Sequence, residues 1–210
     1  MNARTVHVAP ERLERWLDGF AAGHGPVRYD VSPDLVTASA QDGSVARVTV
    51  PFPPLEPGTS VIEHALRDRR IGVLLVRRGG YAAGVFDAGK LISSKVGSRH
   101  VQGTTKAGGW SQQRFARRRE NQAREAFGAA ADAASRILGP VALGLDVVVC
   151  GGDRKAVDTV LRDPRLARLA ELVRPPFLAV PDPRQRVLER AGGDARAVRV
   201  DVREPDDAGR

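Results

Sequence analysis

A glycine-rich stretch that ends in two adjacent glutamines holds the residues best suited to chemistry. Residues 103–113 read GTTKAGGWSQQ. The amide of Gln112 does not titrate, so it cannot act as a general acid or base. It can place a water molecule or a reacting ester through hydrogen bonds, and the neighbouring glycines allow the backbone to come close to that target. Such a site needs a partner that supplies the remaining catalytic groups.

Other residue combinations give no catalytic pattern in this sequence. The single cysteine, Cys150, lies in the apolar run DVVVC, which predicts a buried thiol rather than a nucleophile. Ser111 does not lie in a GxSxG motif, because Gln113 stands in place of the second glycine. Gly151-Gly152-Asp153 lacks the spacing of phosphate-binding loops and is interpreted as a turn that caps a helix. The four histidines have no metal-ligand spacing, so we expect neither a metal nor a cofactor: His7, His24, His64 and His100.

Arginines follow the two glutamines directly, in the run RFARRR at 114–119. The whole chain has a formal net charge of +8 and a pI near 10.6. The planar fork of arginine suits phosphate, so the run predicts an RNA partner rather than a merely solvated helix face. Trp110 is suited to inserting or stacking against a base. The arginines expected to contact RNA are Arg114, Arg117, Arg118 and Arg124.

The elements that must position these residues lie on both sides of the stretch. Three strands are predicted before it, at 71–78, 81–87 and 91–102, and the third runs directly into the glycine-rich loop. One long helix is predicted after it, from Gln112 or Gln113 to Leu138, with an alanine-rich apolar stripe opposite the arginines. Gly139-Pro140 ends this helix. A sheet edge and a helix should therefore hold the two ends of the loop.

The rest of the chain alternates between strand and helix patterns. Predicted strands lie at 27–31, 35–40, 45–50, 143–150 and 197–202, and predicted helices at 10–22, 60–67, 154–161, 164–172 and 182–191. This order predicts an α/β (α+β) fold with a mixed twisted β-sheet and flanking helices. We expect one catalytic domain over 1–204, in which 1–26 form an N-terminal helical extension, and a disordered tail at 205–210.

The loop and the basic helix together resemble the VLRF (Vms-like release factor) group. The resemblance rests on KAGGWSQQRFARRR at 106–119, the preceding stretch KVGSRHVQG at 95–103, and Glu120-Asn121 in the helix. It covers most of the chain, from about Val27 to Val202. These proteins are related to the catalytic domain of eukaryotic peptide chain release factors. The resemblance therefore implies a release-factor catalytic-domain-like fold with a long helix after a mobile Gly-rich loop.

The resemblance also implies a function, which is ribosome-dependent hydrolysis of peptidyl-tRNA on stalled large ribosomal subunits. The loop would enter the peptidyl transferase centre, and the match to the family's Gly-Ser-Gln makes Gln112 the catalytic residue. Gly108, Gly109, Trp110 and Ser111 would form the loop tip. Lys106 and the arginines after the loop would face rRNA or tRNA phosphates.

Two departures from the family pattern keep alternatives open. Termination factors carry Gly-Gly-Gln, whereas Trp110 and Ser111 separate Gly109 from Gln112 here, so Gln113 is a rival for the catalytic position. The zinc finger, ankyrin repeats and coiled coil of eukaryotic members are missing, so partners recruited through those parts are not expected. A non-catalytic ribosome- or RNA-binding module, or an endonuclease that cleaves the tRNA 3′ end, are the alternative functions.

The sequence also bears on where the protein works. No apolar stretch resembles a signal peptide or approaches the roughly 18 residues of a membrane helix, so we expect a cytoplasmic protein with no membrane partner. We expect it to act as a monomer.

Overall fold

The structure is a computed structural model that describes residues 2–78, 80–98 and 111–205. Within the helix that begins at Ser111, it describes side chains from Arg124 onward. The chain forms two compact units, one made of Met1–Arg67 with Arg196–Arg210 and the other of Asp68–Ala195. The sequence predicts one domain over 1–204 with 1–26 as an extension; in the structure, 1–26 contributes to the first unit. The predicted disordered tail falls largely outside the described residues.

Nine strands and six α-helices are described. The strands are β1 (Asn2–Val8), β2 (Val27–Val31), β3 (Leu35–Ala40), β4 (Val45–Thr49), β5 (Arg70–Arg77), β6 (Gly80–Asp87), β7 (Lys90–Ser98), β8 (Val147–Gly152) and β9 (Val198–Glu204). The helices are α1 (Leu13–His24), α2 (Val61–Leu66), α3 (Ser111–Leu138), α4 (Arg154–Leu161), α5 (Ala167–Glu171) and α6 (Gln185–Arg196). Short 3-10 turns lie at Pro10–Arg12, Gly139–Gly144 and Pro164–Leu166.

The first unit is built on an antiparallel sheet of five strands in the order β1-β9-β4-β3-β2. Alternate residues of β3, β4 and β9 point to one face, where their Val and Ala side chains are buried. Leu13, Leu17 and Phe20 of α1 join the same core. The helical spacing of these three residues places them on one stripe, so the amphipathic pattern in the sequence explains the packing.

Most of the predicted elements of the first unit are confirmed, with two corrections. The strands β2, β3 and β4 lie where they are predicted. The predicted helix at 10–22 is wrong at its start, because Pro10–Arg12 form a 3-10 turn and α1 begins at Leu13. The strand β1 is absent from the prediction. The strands are also divided between two sheets, because β9 pairs with β1 and β4 and so completes a separate sheet.

The second unit has a mixed sheet of four strands in the order β7-β6-β5-β8. The pairs β5–β6 and β6–β7 are antiparallel, while β5–β8 is parallel. On one face, Leu74, Val85 and Val148 pack with side chains of α3 and α4. On the other face, Leu188 of α6 contacts the backbone at Gly84. The predicted mixed sheet with flanking helices is therefore confirmed in this unit.

Two predicted boundaries in the second unit are wrong. The predicted strand at 143–150 begins only at Val147, because the chain continues in a 3-10 turn through Gly144 after α3 ends. The predicted helix at 182–191 begins at Gln185 and continues to Arg196.

In the described part of the chain, no helix is both long enough and apolar enough to cross a membrane.

Candidate functional site

The two elements that flank the glycine-rich stretch pack together in the second unit. The edge strand β7 ends at Ser98, which pairs with Gly80 at the start of β6. The helix α3 begins at Ser111 and packs against β6 and β7. Residues 99–110, which include the predicted loop, lie outside the described residues. The prediction that a sheet edge precedes the loop and a long helix follows it is confirmed.

A close backbone approach fixes the end of β7. The ring of Tyr81 in β6 lies against Gly97 in β7, where a Cβ atom would overlap it. Tyr81 packs on the hydrophobic core of the second unit. The last residues of β7 are thus held both by the strand ladder and by an aromatic ring, which ties the start of the loop to the core.

The sequence-predicted site residues fall into three groups in the structure. Lys106, Gly108, Gly109 and Trp110 lie outside the described residues. The backbones of Ser111, Gln112 and Gln113 form the first turn of α3, and Arg114, Arg117 and Arg118 follow in the same helix. Arg124 is exposed to solvent.

The start of α3 corrects one expectation about the loop tip. The sequence predicts a helix from Gln112 or Gln113 and places Ser111 at the loop tip, whereas the helix already begins at Ser111 in the structure. Ser is a good helix-start residue and Gln a good helix former, so the helix extends to Ser111 at low cost. A glutamine in a helical turn has a fixed backbone, so the position of its side chain depends on the orientation of α3.

The buried face of α3 is described from Ala126 to Leu138. Six side chains on this face are buried: Ala126, Ala130, Ala131, Ala133, Ala134 and Leu138. Alanine has no side chain beyond Cβ, so the helix can lie close to the sheet without loss of side-chain entropy. Phe127 and Ile137 are partly buried against the same core. This contact anchors the helix that carries Gln112.

The sequence of the first turns of α3 is strongly basic. Residues 111–119 include four arginines and no acidic residue. The N-terminal end of a helix also carries a partial positive charge from its unpaired N–H groups. Both contributions favour a polyanion near this end of α3, and both would be weakened by salt.

Titratable groups elsewhere in the second unit have structural roles. Cys150 is buried in β8, as predicted, and burial, together with the charge of Asp158, raises the pKa of its thiol to about 12. The side-chain hydrogen bond from Arg165, with a second one from its backbone N–H, lowers the pKa of Asp163 to about 2. Asp153 accepts a hydrogen bond from the N–H of Ala156 at 3.2 Å and caps α4, as predicted.

Two of the described histidines, His24 and His64, lie close to polar partners. His64 is 2% exposed and its Nε2 lies 2.8 Å from the carbonyl oxygen of Pro51. His24 Nδ1 lies 2.8 Å from a carboxylate oxygen of Asp42. Within the described ranges, no three His, Cys, Asp or Glu side chains group closely enough to hold a metal ion. His100 lies outside the described residues.

Comparison with solved structures finds similar but distant folds. The crystal structure of the archaeal translation termination factor aRF1 matches with a TM-score of 0.40 and 18% identity over 72% of this chain and 47% of that chain. A structure described as an archaeal protein matches with a TM-score of 0.42 and 17% identity over 73% and 48%. The chain spans about half the length of these two structures. The Vms1 mitochondrial localization core matches with a TM-score of 0.44 and 10% identity over 90% and 80%.

Comparison of the sequence with protein families gives a more direct result. No curated protein matches the chain significantly. The model of the Actinobacteria/chloroflexi VLRF1 release factor family matches residues 69–201, which are most of the chain. The match includes β7, α3 and the stretch between them. The chain therefore belongs to the Actinobacteria/chloroflexi VLRF1 release factor family.

Proposed function

We propose that this protein is a ribosome-dependent peptidyl-tRNA hydrolase that releases nascent chains from stalled large ribosomal subunits. Membership of the family gives it a release-factor-type role in translation and an interaction with the ribosome. The observation that carries the finer proposal is the position of Gln112. It lies in the first turn of a 28-residue helix that is anchored on the core and follows the glycine-rich stretch.

Gln112 acts in this proposal by placement. Its amide hydrogen-bonds a water molecule and orients it toward the carbonyl carbon of the ester that joins the peptide to the tRNA 3′ end. The amide has no useful pKa, so the proton of that water must pass to a group on the RNA or to solvent. The active site is then shared between the protein and the peptidyl transferase centre, with Gln113 as the rival for the same position.

The basic residues position the helix against RNA in this proposal. Lys106, Arg114, Arg117 and Arg118 contact phosphates of rRNA or tRNA near the loop tip formed by Gly108 to Ser111. The rise of an α-helix places Arg124 about 18 Å along the helix axis from Gln112. Its exposed side chain is free to contact a phosphate farther from the ester. The protein acts as a monomer in the cytoplasm and needs no cofactor.

Purified large subunits that carry peptidyl-tRNA with a labelled peptide provide the test. We expect the protein to release the peptide from the subunit and to leave the tRNA 3′ end intact. Free peptidyl-tRNA is the control, and we expect it to be hydrolysed much more slowly because it lacks the RNA part of the site. A shortened tRNA would identify an endonuclease instead. Binding to the subunit without any release would identify a non-catalytic module.

A further inference from the structure

The five-stranded sheet of the first unit has one buried face and one exposed polar face. The exposed face consists of the alternate residues that point away from the buried Val and Ala side chains. Its cross-strand order follows from the register. Arg203 pairs with Val45, Val45 with Ser39, and Ser39 with Arg28. These four residues form one row across β9, β4, β3 and β2, about 14 Å from end to end at the usual strand spacing.

A second row lies two residues along the strands. In this row, Thr5 pairs with Asp201, Asp201 with Arg47, Arg47 with Thr37, and Thr37 with Asp30. His7 and Arg199 pair in the next row. We call this surface the basic sheet face, defined by Arg28, Arg47, Arg199 and Arg203 with the hydroxyl residues Thr5, Thr37, Ser39 and Thr49 between them.

Three of the four arginines on this face are free to bind a ligand. Arg199 donates to Asp201, which also accepts from the Thr5 hydroxyl at 2.6 Å. Arg28, Arg47 and Arg203 are exposed and make no side-chain hydrogen bond or ion pair with other described residues. Since Arg199 already neutralises Asp201, the remaining acidic residue is Asp30, and the face keeps a positive charge.

The composition of the basic sheet face fits a nucleic-acid backbone. Guanidinium groups bind phosphate through two parallel hydrogen bonds, and hydroxyl groups donate to phosphate and sugar oxygens. Among its described residues the face has no Phe, Tyr or Trp on which a base could stack, so base recognition through stacking is not expected. An acidic protein surface would also be attracted by the charge, but such interfaces usually centre on large apolar or aromatic anchors, whereas the apolar side chains of this face, Val45 and Leu35, are partly buried.

We propose that the basic sheet face binds the phosphate backbone of RNA, as a second RNA contact separate from α3. This second RNA contact goes beyond the proposed hydrolase function, because it needs neither Gln112 nor the glycine-rich stretch. It also lies mostly outside the residues 69–201 that match the family. The contact is independent of base sequence and weakens as salt rises.

A triple variant tests this proposal: Arg28→Gln, Arg47→Gln and Arg203→Gln in the full chain. These side chains make no described interaction, so their loss leaves the fold intact. The probe is a labelled single-stranded RNA of mixed sequence, with binding measured by fluorescence anisotropy across a range of salt concentrations. At about 0.1 M salt we expect Kd to rise about tenfold, and the slope of log K against log salt to fall by about 2, from the loss of three phosphate contacts.

A matched triple variant is the control: Arg12→Gln, Arg15→Gln and Arg162→Gln. It removes the same charge from exposed arginines that lie outside the basic sheet face. We expect its Kd to stay within about threefold of the wild-type value, the effect of net charge alone. The proposal is overturned if the first triple binds RNA like the wild type, or if both triples lose affinity equally. The three single variants provide the same comparison if a triple variant fails to fold.

The test is independent of the proposed function, because it measures binding to RNA without peptidyl-tRNA. If the wild-type protein released no peptide but the first triple variant lost RNA affinity as expected, only the hydrolase proposal would be contradicted. If the wild-type protein released peptide but the first triple variant bound RNA like the wild type, only the proposal for the basic sheet face would be contradicted.

Discussion

Gly192 in α6 lies directly against the ring of Phe86 in β6, and a Cβ atom at position 192 would overlap that ring. Both residues are buried. We therefore expect Gly192→Ala to destabilise the protein by about 1–3 kcal/mol, because the buried ring can move aside only by disturbing its neighbours. The free energy of unfolding from urea titration is the measurement.

Gly193 provides a matched control in the same helix. It is exposed, and a Cβ atom there would have no neighbour within 4 Å. Gly193→Ala should stabilise the protein by about 0.5–1 kcal/mol, since alanine loses less backbone entropy than glycine in a helix. If both variants changed the free energy of unfolding in the same direction, the result would contradict the close contact of Gly192 in α6 with Phe86 in β6.

The single thiol should be almost unreactive in the folded protein. Burial of Cys150 raises its pKa to about 12, and only the thiolate attacks a disulfide reagent. Near pH 8 we expect the thiol to react about a thousandfold more slowly than in the urea-unfolded chain, where its pKa is ordinary. Rapid labelling of the native protein by a disulfide reagent would show that β8 is not buried as described.

The ion pair between Asp163 and Arg165 should make stability depend on pH. Hydrogen bonds from Arg165 lower the pKa of Asp163 to about 2, below its value in the unfolded chain. The stabilisation is therefore present above the unfolded pKa of about 4 and is lost as the pH falls toward 2. Arg165→Gln should unfold at a lower temperature than wild type at neutral pH. The difference between the two unfolding temperatures should shrink as the pH falls from 4 toward 2.

Arg162→Gln is the control for that titration. Arg162 is exposed and makes no side-chain ion pair with other described residues. We expect no pH-dependent difference from wild type between pH 4 and pH 2 for this variant. Thermal unfolding followed by circular dichroism measures all three proteins. A difference for Arg165→Gln that stayed constant down to pH 2 would contradict the low pKa of Asp163.

Local patterns in the sequence predict most of the elements correctly. The alternation at β3 and β4 with Asp42-Gly43 between them, and the alanine stripe of α3, are signals within a single segment. The strand β1 has no such signal, because it is defined by pairing with β9 at the other end of the chain, from Asn2 with Glu204 to Val8 with Val198. The division into two sheets depends on the same long-range pairing, so it could not be predicted from local patterns.

The end of α6 shows how packing can override a local signal. Gly192 and Gly193 resemble a helix stop, so the sequence predicts an end at residue 191. The helix continues to Arg196 because Gly192 permits the close approach to Phe86. Similarly, the basic sheet face is not visible in the sequence, because Arg28, Arg47 and Arg203 meet only after the four strands β2, β3, β4 and β9 pair.

The sequence predicts the frame of the candidate site better than its details. The order of edge strand, glycine-rich stretch and basic helix is confirmed by β7 and α3. The start of α3 was less predictable, since Ser111 is suited to either a loop or a helix start. The assignment of Gln112 as the catalytic residue remains a prediction, as does RNA contact by Arg124.

The rate of peptide release by Gln112→Ala is the most direct test of the proposed function. Single-turnover release from large subunits carrying peptidyl-tRNA should fall by about 100-fold or more, the usual cost of losing one positioned hydrogen-bonding group. Binding to the subunit should stay unchanged. Gln113→Ala, one residue along the same helical turn, is the matched control and should release peptide at close to the wild-type rate. Full release activity in Gln112→Ala, or loss of activity only in Gln113→Ala, would contradict the catalytic role of Gln112.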